Sequence, residues 1–436
     1  MKMKKYLVLV LMILMNLSAF PAGKRSNLYN RIAKKAQTAL KNKDYRVYEL
    51  CYKKLLSLNP NHPHLLYDSA VALVLNGKND LALAYLKRVL VSESTRILRL
   101  KTDERFNSLS LSSVFQSILQ RAEALIKPFG QSRIAYTIRE KDLIPEGVAF
   151  DPVTETLFVS SIYKRKIVAI SKNGRIRDFK PSKADGLLAT IGMQVDAGRR
   201  HLWVCSGWYG GSEILDIGVE KDRKSKLFKY DIDSGKLIKI YMTPGDHPGF
   251  LNDITLRSDG TVYMTDTKTH EIFHISPGND KIEVYIDNEQ IMYPNGITIS
   301  DDDDHLFIAH YGGMVVVDTR TRKQKTMAYP EGIFPGHIDG LAYYKNRLIA
   351  HQGTVFGGLI MYTLNSTRDR IIGKRKLDIL NPLFSMPTTG EIAGDRYFYI
   401  ANAQIRSFNQ SGKIWSLDKL KPVRILELNL DQKNCR

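Results

Sequence analysis

From about residue 134 onward, the chain repeats one pattern six times: a short strand of alternating apolar residues, a tight polar turn and a second such strand. In the first hairpin, Val148–Phe150 turns at Asp151-Pro152 into Leu157–Val159. The other five hairpins begin at Met193, Ile254, Ile297, Leu341 and Glu391. Alternation with a period of two is typical of strands in a sheet. Most hairpins are followed by a third strand and usually by a fourth. Six repeats of a four-stranded sheet predict an all-β six-bladed β-propeller over residues 131–436.

The region 24–130 has helical periodicity instead. Two 34-residue units, Tyr29–His62 and Pro63–Arg96, carry apolar residues at spacings i, i+4 and i+7, which is one face of a helix. These positions are Tyr48, Tyr52 and Leu55 in the first unit and Ala82, Leu86 and Val89 in the second. The pattern resembles tetratricopeptide repeats. Because two units rarely bury enough surface, we expect Asp103–Lys127 to supply capping helices. The repeats would either offer a groove to a protein partner or act as a helical prop packed on the second domain.

The first 23 residues have the composition of a signal peptide. Lys2, Lys4 and Lys5 precede the apolar stretch Tyr6–Leu17, and small residues follow it. This stretch is too short for a membrane anchor, because a spanning helix needs about 20 apolar residues. We therefore expect cleavage of residues 1–23 and an exported protein, periplasmic or secreted, that does not span the membrane.

Charge and cysteine content exclude some classes of function. Removing the three N-terminal lysines lowers the formal net charge from +19 to +16. The remaining basic residues are spread along the chain among acidic ones, whereas a nucleic-acid binder concentrates them on one face or in one run. We therefore expect no nucleic-acid partner. Cys51, Cys205 and Cys435 are odd in number and far apart, so they predict no disulfide framework. Cys205 lies in an apolar strand pattern and is expected to be a buried thiol.

Four short phrases place an oxygen-bearing side chain directly before the first strand of a repeat. They are Pro145-Glu146-Gly147, Leu251-Asn252-Asp253, Pro294-Asn295-Gly296 and Ile338-Asp339-Gly340. The last three are spaced by 43 and 44 residues. A radial fold brings equivalent positions of its repeats to one point, and carboxylate and amide oxygens are the ligands of a hard divalent cation. The equivalent positions on blades two and six are Ile191 and Thr389, so the polar set is lopsided, as a functional site is free to be.

Strand geometry adds candidate catalytic residues. Because the second strand of a hairpin returns to the end where the first began, the residues flanking the hairpin are neighbours. This pairs Glu146 with Ser160 and Ser161, Asn252 with Asp266, Asn295 with His310, and Asp339 with His351. A carboxylate or imidazole at this place could accept a proton from water. We favour Asp339 as the base, with His310, His351 and Asp266 as further candidates. The alternative for each histidine is capping of a strand end.

The four phrases, in this order and spacing, resemble the senescence marker protein/gluconolactonase/luciferin-regenerating enzyme family over about Ile134–Leu430. The resemblance implies that Glu146, Asn295 and Asp339 are metal ligands and that Asn252 is a further ligand or binds substrate or a coordinated water. It implies one divalent cation, most often Ca²⁺, with Zn²⁺, Mn²⁺ or Mg²⁺ as alternatives. The activity that it implies is hydrolysis of a lactone or related ester.

Two motifs are interpreted as decoys. His270-Glu271-Ile272-Phe273-His274 matches a zinc-protease pattern, but that chemistry needs a helix, and the flanking residues predict a strand. Along a strand, the two rings would stand about 13 Å apart. The acidic run Asp301–Asp304 lacks the glycine and terminal glutamate of a calcium loop and is expected to be a solvated turn.

The sequence therefore predicts an exported metal-dependent hydrolase with a small-molecule lactone or ester substrate at the channel mouth. The alternative is a non-catalytic scaffold whose propeller and helical repeats bind a protein or glycan in the cell envelope, because both architectures are also common binding modules.

Overall fold

The computed structural model describes residues 24–207, 224–245, 248–287, 291–352, 358–409 and 413–431. The predicted signal peptide, residues 1–23, lies outside the described residues, and so does Cys435. Within the described part, no helix is both long enough and apolar enough to span a membrane.

The N-terminal part of the chain is helical. Its helices are α1 Lys24–Lys41, α2 Tyr45–Leu58, α3 Pro63–Leu75 and α4 Asn79–Val91, then 3₁₀ helices Thr95–Thr102 and Glu104–Leu109, and α5 Ser113–Ala124. Local capping fixes several starts: the side chains of Asp44, His62 and Ser112 accept hydrogen bonds from backbone N–H groups in the first turns of α2, α3 and α5. Phe106 and Phe115 bury their rings in the core shared by these helices. We call residues 24–124 the helical domain. Its likeness to tetratricopeptide repeats stays a prediction.

The rest of the chain is built from strands. They are β1 Phe129–Gly130, β2 Arg133–Ile138, β3 Val148–Asp151, β4 Thr156–Ser161, β5 Lys166–Ile170, β6 Ile176–Lys180, β7 Ala189–Asp196, β8 His201–Gly207, β9 Lys226–Asp231, β10 Leu237–Met242, β11 Leu251–Leu256, β12 Val262–Asp266, β13 Glu271–Ile275, β14 Glu283–Ile286, β15 Ile297–Ile299, β16 His305–His310, β17 Gly313–Asp318, β18 Gln324–Thr326, β19 Ile338–Tyr343, β20 Arg347–Gln352, β21 Gly358–Leu364, β22 Ile371–Ile379, β23 Gly390–Ala393, β24 Arg396–Ile400 and β25 Val423–Asn429.

These strands form six antiparallel sheets, which are the blades of a six-bladed β-propeller, as predicted. Blades one to four are β3–β6, β7–β10, β11–β14 and β15–β18, and blade five is β19–β22 with β1 at its edge. Blade six combines β23–β25 with β2 from the start of the propeller. The inner strands β3, β7, β11, β15, β19 and β23 each contact the next, and β23 contacts β3. They surround a central channel, and we call the end at which they begin the channel mouth.

Closure of the ring by β2 was not predicted from the sequence. Arg133 pairs with Glu427 and Ile138 pairs with Val423 in antiparallel register, so the first strand of the propeller lies at the outer edge of the last blade. An ion pair of 3.0 Å also joins the Arg133 and Glu427 side chains. The two ends of the propeller therefore hold each other in one sheet.

The described segments also settle two motif interpretations. Glu271–Ile275 is strand β13, with His270 just before it, so the zinc-protease pattern lies on a strand as predicted. The His274 ring instead stacks on Tyr263, with ring centroids 6.4 Å apart. Asp301–Asp303 form a turn. Oδ2 of Asp302 forms an ion pair with a guanidinium nitrogen of Arg368, on the next blade, at 2.5 Å. Cys205 is fully buried, as expected.

Glycines allow the inner strands to approach closely near the mouth. A Cβ on Gly192 would lie 2.3 Å from the carbonyl oxygen of Asn252, and one on Gly147 would lie 2.0 Å from that of Ile191. Gly296 and Gly340 meet the next inner strand in the same way. A side chain at any of these positions would force neighbouring inner strands apart.

We expect Gly192→Ala to destabilise the propeller by about 1–3 kcal/mol, because the added methyl group collides with backbone that cannot move freely. The free energy of unfolding in urea would measure the loss. Gly373→Ala is the matched control, because a Cβ there meets nothing within 4 Å. Equal stability of Gly192→Ala and the wild type would contradict the proposed tight contact.

Candidate cation site at the channel mouth

The backbone register defines which residues of the six blades are equivalent. The carbonyl oxygen of Gly147 accepts from Ser160 at 2.9 Å, that of Gly296 from Ala309 at 2.9 Å, and that of Thr389 from Ile400 at 3.1 Å. Thr389 is therefore equivalent to the glycines. The mouth position of blade six is Thr388 rather than Thr389, which corrects the assignment made from the sequence. The six mouth positions are Glu146, Ile191, Asn252, Asn295, Asp339 and Thr388.

The four predicted ligands lie on blades one, three, four and five of this ring. The Asn295 side-chain amide donates to Oδ1 of Asp339 at 2.8 Å. The charge of Asp339 contributes to raising the pKa of Glu146, which places the two carboxyl groups in the same site. The Asn252 amide nitrogen donates to the hydroxyl of Thr267 at 2.9 Å. Glu146 and Asn252 are buried, and Asn295 and Asp339 are half-buried, so the ring is partly shielded from water.

Two further carboxylates, which were not predicted from the sequence, lie deeper in the channel. Asp253 takes the place that glycine has on its neighbours, and its carboxylate accepts from the backbone N–H of Ile297, on the next blade, at 3.2 Å. Glu391 accepts from the backbone N–H of Ile392 at 3.1 Å and from the Gln194 amide at 3.3 Å. Gln194 belongs to blade two and Glu391 to blade six, so this bond crosses the channel below the mouth. Asp253 could have been identified from the sequence, because it stands where the other three phrases have a glycine.

Burial raises the pKa values of all four carboxyl groups, and repulsion between carboxylates adds to the shift in three of them. Burial, then the charges of Asp339 and Asp253, raise the pKa of Glu146 well above its usual value. Burial raises the pKa of Asp339 to about 6, although the Asn295 hydrogen bond opposes this. Burial, with a contribution from Asp339, raises the pKa of Asp253 to about 7. Burial, with a contribution from Asp253, raises the pKa of Glu391 to about 8. The state in which all four carboxyl groups are ionised is therefore unfavourable in the channel.

The side chains of the ring carry the kinds of oxygen atom that a hard cation binds. Among the residues that the structure describes, no lysine, arginine or histidine forms an ion pair with any of the four carboxylates or affects its pKa. Buried carboxylates without a counter-charge are costly, and a divalent cation would supply that charge. Carboxylate and amide oxygens are also its preferred ligands. In the described segments, no three Asp, Glu, His or Cys side chains lie close enough to hold an ion by themselves. The amides of Asn252 and Asn295 would therefore be needed.

The raised pKa of Glu391 leads to a pH-dependent prediction for protein stripped of cations. A carboxyl group whose pKa is raised by folding binds protons more tightly in the folded state, so its contribution to stability falls as pH rises from about 4 to 8. The glutamine in Glu391→Gln does not ionise, so the variant does not lose this stability. We therefore expect the difference in free energy of unfolding, variant minus wild type, to increase by on the order of 2–3 kcal/mol from pH 5 to pH 9.

Urea unfolding at several pH values in the presence of a chelator would measure this difference. The buried histidines contribute equally to both proteins, so their titration cancels. Glu331→Gln is the control, because Glu331 is exposed. A constant difference between Glu391→Gln and the wild type across this range would show that Glu391 does not titrate as described.

The residues two positions before the ring have strained backbones. Ile144, Tyr293, His337 and Met386 have φ values of 46°, 51°, 55° and 61°. Each precedes a mouth residue by two positions: Glu146, Asn295, Asp339 and Thr388. Left-handed backbone in non-glycine residues costs on the order of 1–3 kcal/mol and persists only where the surroundings enforce it. The same turn therefore leads into the mouth on four of the six blades.

The other candidate bases make contacts of a structural kind. The Nδ1 atom of His310 accepts from the backbone N–H of Gly312 at 3.1 Å, which matches the capping alternative. The Nε2 atom of His351 lies 2.9 Å from the Tyr397 hydroxyl, and burial lowers the pKa of His351 to about 3. Asp266 is fully buried and accepts three backbone N–H groups. A catalytic role for these three residues stays a prediction, and the contacts favour Asp339 as the base.

The helical domain lies against the mouth side of blades four and five. Met292, just before β15, belongs to the core of the helical domain, and Tyr293 and Tyr311 pack against it. Farther out, Glu93 forms ion pairs of 2.8 and 3.0 Å with Lys374 and Lys376 of β22. Between these contacts is a cavity of about 110 Å³, whose lining includes His64, His337, Gln352, Lys374 and Lys376. The described contacts therefore favour the prop over the groove, and a protein partner for the repeats stays a prediction.

No family model matches the chain, and no curated protein sequence is similar to it. Among solved structures, a gluconolactonase from Xanthomonas campestris is 17% identical, covering 70% of this chain and 92% of its own, with a TM-score of 0.46. The calcium-binding protein regucalcin from Agrobacterium tumefaciens is 17% identical, covering 68% and 93%, with a TM-score of 0.42.

A virginiamycin B lyase from Staphylococcus aureus is 14% identical, covering 70% of this chain and 100% of its own, with a TM-score of 0.44. These three proteins have different functions, and similarity at this level says nothing about the chemistry of the present chain.

Proposed function

We propose that the protein is a metal-dependent hydrolase that acts on a lactone or related ester at the channel mouth. The observation that carries the proposal is the ring of Glu146, Asn252, Asn295 and Asp339. Around it, the carboxyl groups of the buried Glu146 and the half-buried Asp253, Asp339 and Glu391 lack a basic partner in the described part of the chain. These four residues would hold one divalent cation, and Ca²⁺ fits an all-oxygen donor set best. They are also the residues on which the resemblance to the lactone-hydrolysing family rests.

When bound, a divalent cation supplies a Lewis acid that polarises an ester carbonyl and neutralises the charge that develops on its oxygen. The protein's own residues orient the reactants and take the proton. Asn295 holds Oδ1 of Asp339 by a hydrogen bond of 2.8 Å and so fixes the direction of this carboxylate. The second oxygen of Asp339 remains available to accept a proton from an attacking water molecule.

Shielding is the other contribution of the protein. The helical domain covers the mouth beside blades four and five, so substrate would approach from the remaining blades. The partial burial of the ring limits its contact with bulk water and strengthens the electrostatic interactions within it. We also propose, from residues 1–23 of the sequence, that the protein is exported.

Metal analysis of purified protein, combined with a screen of lactones and esters, tests the proposal. We expect about one bound divalent ion per chain, and turnover that is lost with a chelator and restored by Ca²⁺. If the metal-loaded wild type turned over no member of a broad panel, the alternative would hold: a non-catalytic scaffold that binds a protein or glycan.

A further inference from the structure

Side-chain hydrogen bonds join the helical domain to the channel mouth at three places among the described residues. The Tyr29 hydroxyl lies 2.7 Å from the Tyr311 hydroxyl, and the Asn30 amide donates to the Tyr293 hydroxyl at 3.0 Å. The Nε2 atoms of His62 and His337 lie 3.1 Å apart. Tyr293 and His337 are two of the strained residues, two positions before Asn295 and Asp339. Tyr311 lies next in the chain to His310 on the same side of the mouth.

The tautomers of the two histidines follow from the cap of α3. Nδ1 of His62 accepts from the backbone N–H groups of His64 and Leu65, at 3.2 and 3.5 Å, so it carries no proton. A neutral His62 must therefore carry its proton on Nε2 and donate it to Nε2 of His337. Burial keeps both imidazoles neutral, because it lowers both pKa values. A metal ion bound to Nε2 of His62 would require the proton to move to Nδ1, which already accepts two backbone N–H groups. The contact between the two Nε2 atoms is therefore a hydrogen bond.

The contacts coincide with the strain. A left-handed tyrosine or histidine is unfavourable unless its neighbours hold it in place. At Tyr293 and His337, the holding groups include Asn30 and His62 of the helical domain. At Ile144, on blade one, the buried neighbours are Ile162 and Ala189 of the propeller itself. The same backbone device is thus supported by the propeller on one side of the mouth and by the helical domain on the other.

We propose that the helical domain is a positioning element of the cation site, and that Asn30 and His62 are its positioning residues. They hold Tyr293 and His337, and through them the directions of the Asn295 and Asp339 side chains. This inference rests on the proposed cation site for its functional meaning. It assigns the helical domain a task within the site rather than a separate binding role.

The test uses the full-length protein with the double variant Asn30→Ala/His62→Asn. Asparagine is a good N-cap residue, so it retains the cap of α3, but it is too short to reach His337. The control is Glu93→Gln, which weakens a contact of the same interface at β22, away from the ring. Two measurements are made: hydrogen exchange of the amides in 293–297 and 337–341, and the affinity for Ca²⁺ alone by calorimetry.

We expect the double variant to accelerate exchange in both segments and to weaken Ca²⁺ binding, each by about tenfold, which corresponds to about 1.4 kcal/mol. Glu93→Gln should change each by less than about twofold. Unchanged exchange in the double variant, or an equal effect of Glu93→Gln, would overturn the inference. If the wild type bound no Ca²⁺ but the double variant still exchanged faster than the wild type, the positioning role would be supported and the proposed function refuted.

Discussion

Asp339→Asn is expected to lower the affinity for Ca²⁺ by at least about 100-fold and lactone or ester turnover by about 10³-fold or more. The substitution removes one full negative charge from the ring while keeping an oxygen that can accept the Asn295 hydrogen bond. It also removes the carboxyl group that we propose as the base. Calorimetric titration with Ca²⁺ and steady-state kinetics would measure the two losses separately.

The same variant should be at least as stable as the wild type in the absence of cations at neutral pH. Burial raises the pKa of Asp339 to about 6, so the ionised carboxylate costs stability there and the amide does not. Asp301→Asn, in the exposed turn at the opposite end of blade four, is the control and should leave binding and turnover unchanged. Asp339→Asn with normal Ca²⁺ affinity and normal turnover would refute the proposed site.

Asp266→Ala is expected to destabilise the propeller by about 3–5 kcal/mol, because it leaves buried backbone donors unpaired. Its two oxygens accept from the N–H groups of Phe250, Lys268 and Thr269 at 2.8, 2.9 and 2.9 Å. These bonds tie the β12–β13 turn to the segment before β11. Chemical denaturation monitored by tryptophan fluorescence would give the loss.

Asp318→Ala is a matched control for this prediction. Asp318 also caps a turn, accepting from the N–H groups of Arg320 and Thr321, but it is half-exposed, so water can replace the lost bonds. We expect it to cost about 1 kcal/mol. A stable but inactive Asp266→Ala protein would instead mean that Asp266 takes part in catalysis.

The repeats of the chain made the fold predictable. Period-two alternation from residue 134 onward identifies the hairpins, and their number gives the number of blades. Equivalent positions in equivalent repeats also place Glu146, Asn252, Asn295 and Asp339 around one opening. This reasoning needs only the register within a hairpin, which the turn and the apolar pattern determine.

Other features depend on contacts between distant segments, which no local pattern describes. The error of one residue at Thr389 arose because blade six lacks the polar-glycine phrase that marks the register elsewhere. Asp253 and Glu391 become neighbours of the ring only through contacts across the channel. Residues 29, 30 and 62 meet the mouth through docking of the helical domain, which the sequence left open between a groove and a prop.

The pairing of β2 with β25 has a consequence for how the chain reaches its native state. Arg133 and Glu427 are 294 residues apart, so one blade stays incomplete until nearly the whole chain is available. The helices, whose contacts are local, can form early, whereas this long-range pairing is slow because a large loop must close first. A chain that ends before residue 423 would leave β24 with an unpaired edge, and such edges favour aggregation.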